Sequence, residues 1–358
     1  MEFLSLDGSY GEGGGQILRT ALSLSMITGR AFRLVDIRAG RRNPGLLPQH
    51  LSAVRAAAAI CGASVVGDEF ASTELSFAPS HPPWSGKYAY DVAQTARRGS
   101  AGSVTLVSQT LLTPLASADG ASSLVLRGGT HVEWSPSFDD LATSYLPALR
   151  RMGLCVDAEL KRFGWYPVGG GEIVCEIRGR SAERDGARPK PIEMTNRGRL
   201  RRISGRAIAA NLPSHIPQRM AERVQASLAG LDVAVEPESR LVAAACGGAG
   251  IFLLAEYEDW PASFFAIGRL GKPSEAVADH AVAALREHHA SEAAVELHLA
   301  DQLLLPLAIA SGASVFTTLR PTSHLTTNAW IIGQFGVADI SIAEGPPCEV
   351  RIKPKARP

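Results

Sequence analysis

The stretch ALSLSMITGRAFRLVDIRAG, Ala21 to Gly40, changes its hydrophobic period halfway along. Up to Thr28 the apolar residues recur at helical spacing. Gly29 then suits the left-handed position that ends a helix, and the residues from Phe32 alternate as a strand does. The same phrase returns twice: QTLLTPLASADG precedes SLVLRGGT from Ser123, and LADQLLLPLAIASG precedes SVFTTL from Ser314. Each copy is followed by a second helix–glycine–strand, in LSAVRAAAAICGASVVG, LATSYLPALRRMGLCVDAEL and NAWIIGQFGVADISIAE. Gly29 and Gly62 lie 33 residues apart, as do Gly120 and Gly153; Gly312 and Gly336 are only 24 apart. This recurrence predicts an α+β fold of three repeated units, each with two helices on one face of a small sheet.

A basic, polar, loop-forming stretch from Ile177 to Arg202 interrupts the pattern and predicts a boundary. The expected division is a large domain of residues 1–185 and 279–345, an α/β insert of 186–278 whose last helix returns to the main body, and a tail of 346–358. The final RIKPKARP reads as a disordered basic end.

Of 358 residues, 46% are hydrophobic and 20% charged, with a net charge of +1. No global field draws nucleic acid to such a surface, so contact with an end or a single nucleotide is expected over a long groove. Five cysteines far apart, with no CxxC pair, predict reduced thiols in a cytoplasmic protein without a disulfide framework or a zinc site. No secretory leader opens the chain, and the apolar run from Leu303 is too short to span a bilayer, so no membrane partner is expected.

Before the first helix, SLDGSYGEGGG places five glycines around Glu12. The loop suits either a tight strand-to-helix turn or a cradle for phosphate, since glycines let backbone amides converge on an anion. Among the nine histidines no HExxH or HxH spacing occurs; GxxxxGK[ST], GxSxG and KxDG are also absent. Metalloprotease, Walker-type, serine-hydrolase and lysine-nucleotidyl readings therefore fall away.

Six blocks in register, GEGGGQILRTALSLS, IRAGRRNPGLLPQHLSAV, GSAGSVTLVSQTLL, GWYPVGGGEI, LADQLLLPLAIA and SHLTTN, resemble the RNA 3′-terminal phosphate cyclase family, and its bacterial catalytic members closely. The resemblance covers nearly the whole chain and is weakest in the insert and tail. It implies a scaffold related to initiation factor 3 C-terminal domains and enolpyruvyl transferases. It also implies an ATP-dependent ligase, aided by magnesium or manganese, that closes an RNA 3′-phosphate into a 2′,3′-cyclic phosphodiester through histidine–AMP and RNA-adenylate intermediates. Two alternatives stand beside it: a non-catalytic cyclase-like ribosome-assembly protein, and an enolpyruvyl-transferase-like enzyme.

By the same resemblance His324 is the nucleophile, an imidazole being nucleophilic near neutral pH and a good leaving group from phosphorus. Ser323, Thr326, Thr327 or Asn328 would hold its ring. Gln109, His298, Leu299, Ala300, Asp301, Gln302 and Glu12 are the expected nucleotide-binding residues, with Glu12 as metal ligand. His298 stands where catalytic relatives usually carry a tyrosine, and its ring can also stack on adenine. Asp301 and Gln302 could equally cap a helix start. Arg38, Arg41 and Gln49, joined by Arg19, are the expected ligands of the RNA phosphate, arginine offering forked donors and a fixed charge. Gly169 to Gly171 read as a backbone crossing, Arg97 and Arg98 as part of a solvated loop. A homodimer is the expected assembly.

Overall fold

The computed structural model of the chain describes residues 2–95, 100–179 and 188–356. The first unit runs β1 (Leu4–Asp7), α1 (Gly15–Thr28), β2 (Phe32–Val35), α2 (Pro48–Cys61), β3 (Ser64–Val66) and β4 (Leu75–Ala78). Its sheet has the order β1-β2-β4-β3, with β1 parallel to β2 and β4 antiparallel to both its neighbours. The second unit repeats this path: β5 (Lys87–Asp91), α3 (Val104–Ala116), β6 (Ala121–Gly128), a helical stretch, β7 (Cys155–Arg162) and β8 (Gly171–Arg178), in the order β5-β6-β8-β7. The helical stretch comprises α4 (Phe138–Asp140), a π-helical turn (Leu141–Tyr145) and α5 (Leu146–Arg151).

The third unit opens with β9 (Glu193–Met194) and is then interrupted. A fourth sheet follows, built from β10 (Leu200–Ala210), β11 (Ala234–Val242), β12 (Gly248–Tyr257) and β13 (Ala262–Ile267) in the order β11-β10-β12-β13. Two helices, α6 (His215–Leu228) and α7 (Ser274–Ala290), cover it. The third unit resumes with α8 (Leu297–Ala308), β14 (Ser314–Thr318), α9 (Ser323–Phe335), β15 (Ala338–Ala343) and β16 (Cys348–Pro354), in the order β9-β14-β16-β15. All three units therefore share one strand order, and the unit of two helices on a small sheet expected from the glycine-punctuated repeat is what the chain forms, with four strands in each sheet.

Three expected boundaries are corrected. The insert interrupts the third unit instead of preceding it, because Glu193 and Met194 pair in parallel with Val315 and Phe316. Helix α7 stays with the insert: Val277, Ala278, Ala281, Val282 and Leu285 share a core with Ile203, Ile251 and Phe264. The tail is no loose end, since residues 348–354 form β16, hydrogen-bonded between β14 and β15. Alternation placed Cys348, Val350 and Ile352 in the main core, a period-two signal hidden among basic residues. The expected break near residue 186, like Arg97 and Arg98, lies outside the described residues.

Gly29, Gly62 and Gly336 cap their helices in the left-handed conformation, as expected. Gly120 and Gly312 do not. Helices α3 and α8 end at Ala116 and Ala308, two residues after Pro114 and Pro306, whose rings lack an amide donor. The main core lies among helices: α1 packs on α3 and α9, and α8 packs on α9. The insert docks on the second unit through the buried Asp139, His131 Nε2 to Asp139 Oδ2 at 2.8 Å and Asp139 Oδ1 to the partly exposed Arg206. Ser144, on the π turn, also donates to Ser263 at 2.9 Å.

His288 on α7 is 3% exposed, and neither ring nitrogen has a hydrogen-bond partner. Burial, seconded by Arg197 and His289, pushes its pKa down from 6.5 to about 3. The unfolded chain thus takes up this proton near pH 6.5 while the folded chain refuses it, so stability is lost as pH falls below 6.5. His288→Leu is expected to stabilise the protein at pH 7, and by about 2 kcal/mol more at pH 5. Urea unfolding at both pH values checks this; a gain of equal size at both would contradict it.

Candidate active site

The glycine loop after β1 comes to rest against the start of α9. Gly11 has φ +59, and a Cβ there would collide with Thr327 Oγ1. That hydroxyl accepts from the Glu12 amide at 3.0 Å. Only glycine satisfies both demands, a left-handed backbone and no side chain. The close approach folds the Glu12 carboxylate inward until its side chain is 4% exposed.

Around this carboxylate the predicted residues converge. Arg41 is ion-paired with Glu12 Oε2 and also donates to the Glu12 carbonyl at 2.7 Å. Glu12 Oε1 has no hydrogen-bond partner and lies 3.8 Å from His324 Nδ1. His324 is the second residue of α9, whose first turn is capped by the Thr322 hydroxyl accepting from Leu325 N at 3.1 Å. Its imidazole is half-exposed. Burial lowers its pKa against the pull of Glu12, with Arg19, His298 and Arg41 acting in the same direction as burial. The ring is thus held neutral at pH 7.

None of the side chains expected to hold this ring does so. Thr326 bonds the Thr322 carbonyl, Thr327 serves the Glu12 amide, and Asn328 accepts from Thr20 Oγ1 at 2.7 Å and donates to the Asp301 carbonyl at 2.6 Å. Asn328 therefore ties α1, α8 and α9 together behind the site. Glu12 is the group that faces the ring.

On α8, Glu296 accepts from the amides of His298 and Leu299 and caps the helix. This settles the cap, which Asp301 and Gln302 do not form. Asp301 sits a turn further in, where burial pushes its carboxyl up to about 7 against the pull of His298 and Arg19. Gln109 of α3 donates to Gln302 Oε1 at 2.6 Å, the facing expected of them. His298 is exposed. Leu299 and Ala300 are corrections: both side chains are buried in the main core, and their amides go to Glu296. Their side chains serve the packing of α8.

The four residues expected at an RNA phosphate all have partners within the chain. Arg19 donates to Gln16 Oε1 at 2.7 Å, and burial lowers its pKa to about 10 despite Glu12 and Asp301, so it stays charged. Arg38 braces its own loop through the carbonyls of Asn43 and Gly45, at 2.5 and 3.0 Å. Gln49 accepts from Ser103 N at 3.0 Å and fastens the second unit to the first. Sequence reasoning missed His50, which is 3% exposed beside Arg19. Its Nδ1 accepts from Leu47 N at 3.1 Å, and burial pushes its pKa to about 3. The proline-led helix start LPQH was the available signal. Among the described residues no group of three His, Cys, Asp or Glu side chains could hold a metal ion by itself.

A family model described as RNA 3′-terminal phosphate cyclase matches residues 10–342. The chain belongs to that family. A protein of Methylococcus capsulatus named RNA 3′-terminal phosphate cyclase is 51% identical, over 96% of this chain and 94% of its own length. Proteins of the same name from Gloeothece citriformis and Salmonella agona are 47% and 42% identical, over 95% and 93% of this chain and 95% and 92% of theirs. Among solved structures, the enolpyruvyl transferase NikO of Streptomyces tendae aligns at a TM-score of 0.28 and 12% identity, over 51% of this chain and 33% of that one.

Gly11→Ala is expected to cost about 2–3 kcal/mol, since a strained φ and a collision with Thr327 add. Gly29→Ala shares the strained φ, but nothing lies within 4 Å of its added Cβ, and should cost about 1 kcal/mol. Urea unfolding of both variants checks this; equal costs would contradict the close approach.

Proposed function

We propose that the protein converts an RNA 3′-terminal phosphate to a 2′,3′-cyclic phosphodiester at the expense of ATP, with His324 as the nucleophile. The observation that carries this reading is the 3.8 Å approach of Glu12 Oε1 to His324 Nδ1 in a chain of the cyclase family. A carboxylate on Nδ1 favours the tautomer with its proton there, which leaves the Nε2 lone pair free. Nε2 attacks the α-phosphorus of ATP, a P–N bond forms, and pyrophosphate departs. An oxygen of the RNA 3′-phosphate then displaces the imidazole, giving an RNA-adenylate. The neighbouring 2′-hydroxyl attacks the terminal phosphorus, loses its proton and expels AMP.

Glu12 Oε1, buried and without a hydrogen-bond partner, fits a hard divalent cation such as magnesium. When bound, such a cation offsets polyphosphate charge. With one protein carboxylate available, its other ligands would be phosphate oxygens and water. Arg19, Arg38 and Arg41 supply positive charge toward the reacting phosphates, while His298, Asp301, Gln302 and Gln109 line the nucleoside side. Asp301 with a pKa near 7 can donate to a base nitrogen or accept from an amino group. Among the described residues no helix is long and apolar enough to cross a membrane. All five cysteines are free, which suits the cytoplasm we propose as its compartment.

Incubation with α-labelled ATP and magnesium or manganese is expected to leave an acid-labile, alkali-stable label on the protein. The label should vanish in His324→Ala and persist in His298→Ala. Loss in the His298 variant alone would overturn the assignment of the nucleophile. An unlabelled wild-type protein would favour a non-catalytic member of the family.

A further inference from the structure

Glu12 faces His324 across a boundary between units, and no bond of its own holds the facing oxygen there. Glu12 Oε1 lies 3.8 Å from His324 Nδ1 and has no hydrogen-bond partner. Arg41, which pairs with Oε2 and the Glu12 carbonyl, belongs to the first unit and orients the carboxylate relative to that unit. The gap to the imidazole is therefore set by where the glycine turn rests on α9.

The base of this turn is fixed to the first unit. Gly8 N donates to the Val35 carbonyl at 2.8 Å, and Asp7 Oδ1 accepts from the Ser9 amide and hydroxyl at 2.8 and 2.6 Å. Gly13 N closes the turn by donating to the Tyr10 carbonyl at 3.0 Å, which leaves Gly11 and Glu12 at the tip. Two side chains of α9 receive it. Thr327 Oγ1 accepts from Glu12 N at 3.0 Å, and the Trp330 ring stacks on Tyr10 with centroids 4.0 Å apart and planes 16° from parallel. Tyr10 stays 44% exposed, whereas Trp330 is partly buried and packs against the main core. A ring anchored on the helix thus holds a ring from the loop.

These contacts share a register. His324, Thr327 and Trp330 succeed one another at three-residue steps, a row along the helix with about 4.5 Å of rise per step. The turn runs along this row in the opposite direction. Tyr10 lies on Trp330, Gly11 and the Glu12 amide lie on Thr327, and the Glu12 carboxylate points toward His324. A hydrogen bond to one threonine hydroxyl is a single point about which the turn can pivot. The stacked rings add a second point and remove that freedom.

We propose that Tyr10, by stacking on Trp330, is a positioning residue that fixes the glycine turn in register along α9 and so holds the Glu12 carboxylate against His324 Nδ1. The chemical consequence rests on the reading of His324 as the nucleophile; the placement of the carboxylate does not.

Imidazole nitrogen-15 NMR of histidine-labelled protein at neutral pH, without nucleotide or metal, reads the placement directly. The His324 signals are assigned by their absence from His324→Ala. In wild type they should report the tautomer with its proton on Nδ1. In Tyr10→Ala they should move toward the Nε2–H tautomer that a free imidazole favours, and in Tyr10→Phe they should match wild type, because the ring face and not the hydroxyl makes the stack. Labelling by α-labelled ATP should slow about ten-fold in Tyr10→Ala and stay within about two-fold of wild type in Tyr10→Phe. The double variant Tyr10→Ala, Trp330→Ala should be no slower than the slower single one, since both remove the same contact. Unchanged His324 signals in Tyr10→Ala, with or without a fall in melting temperature, would overturn the positioning role. So would a phenylalanine variant as impaired as the alanine one, or losses that simply multiply in the double variant. A wild-type protein that takes no label from ATP would sink the nucleophile reading, while the NMR comparison would still decide whether Tyr10 places Glu12.

Discussion

One close approach organises the molecule: a glycine turn of the first unit lying on the first turn of α9 in the third. Gly11 can touch Thr327 because it lacks a side chain, and the Glu12 amide completes the contact. The carboxylate of Glu12 is then forced inward between Arg41 and His324. A buried carboxylate in that position needs positive partners, and the first unit supplies them as Arg19, Arg38 and Arg41. The third unit brings a neutral imidazole to its other face. The second contributes Gln109, held against Gln302. No single unit contains the site, so its chemistry depends on the packing of α1 against α3 and α9.

The same packing accounts for protonation states. His50 and Arg19 are adjacent and buried; burial keeps the imidazole neutral, and the Arg19 charge acts in the same direction. Asp301 is pushed toward a pKa of about 7 by burial, with His298 and Arg19 restraining the shift. His324 is kept below an ordinary histidine by burial although a carboxylate faces it. A neutral imidazole beside fixed guanidinium groups is the combination that attack on a polyphosphate requires.

Much of this was legible in the chain. The switch of period at Gly29, repeated near Gly120 and Gly312, gave the three units, because helix, left-handed cap and strand each leave a local mark. What stayed hidden depends on long-range pairing. A two-residue strand at Glu193 has no period to detect, so the entry point of the insert could not be read. The strand at Cys348 was masked by its lysines and arginines, which face outward from a core position. At the site, residue types with one evident chemistry, Glu12, Arg41 and His324, were visible through motif resemblance. Leu299 and Ala300 stand in a motif too, yet their side chains lie in the core; a motif does not say which of its side chains are buried. Glu296 and His50 act through backbone amides nearby, and only the three-dimensional arrangement reveals which amides those are.

The central claim is a covalent bond at one ring nitrogen, and a crystal structure of the protein after reaction with ATP and a divalent cation tests it most directly. Continuous density joining His324 Nε2 to the phosphorus of AMP, with Glu12 still facing Nδ1, is the predicted result. A nucleotide attached to another side chain, or bound with His324 turned away from its phosphates, would contradict the account.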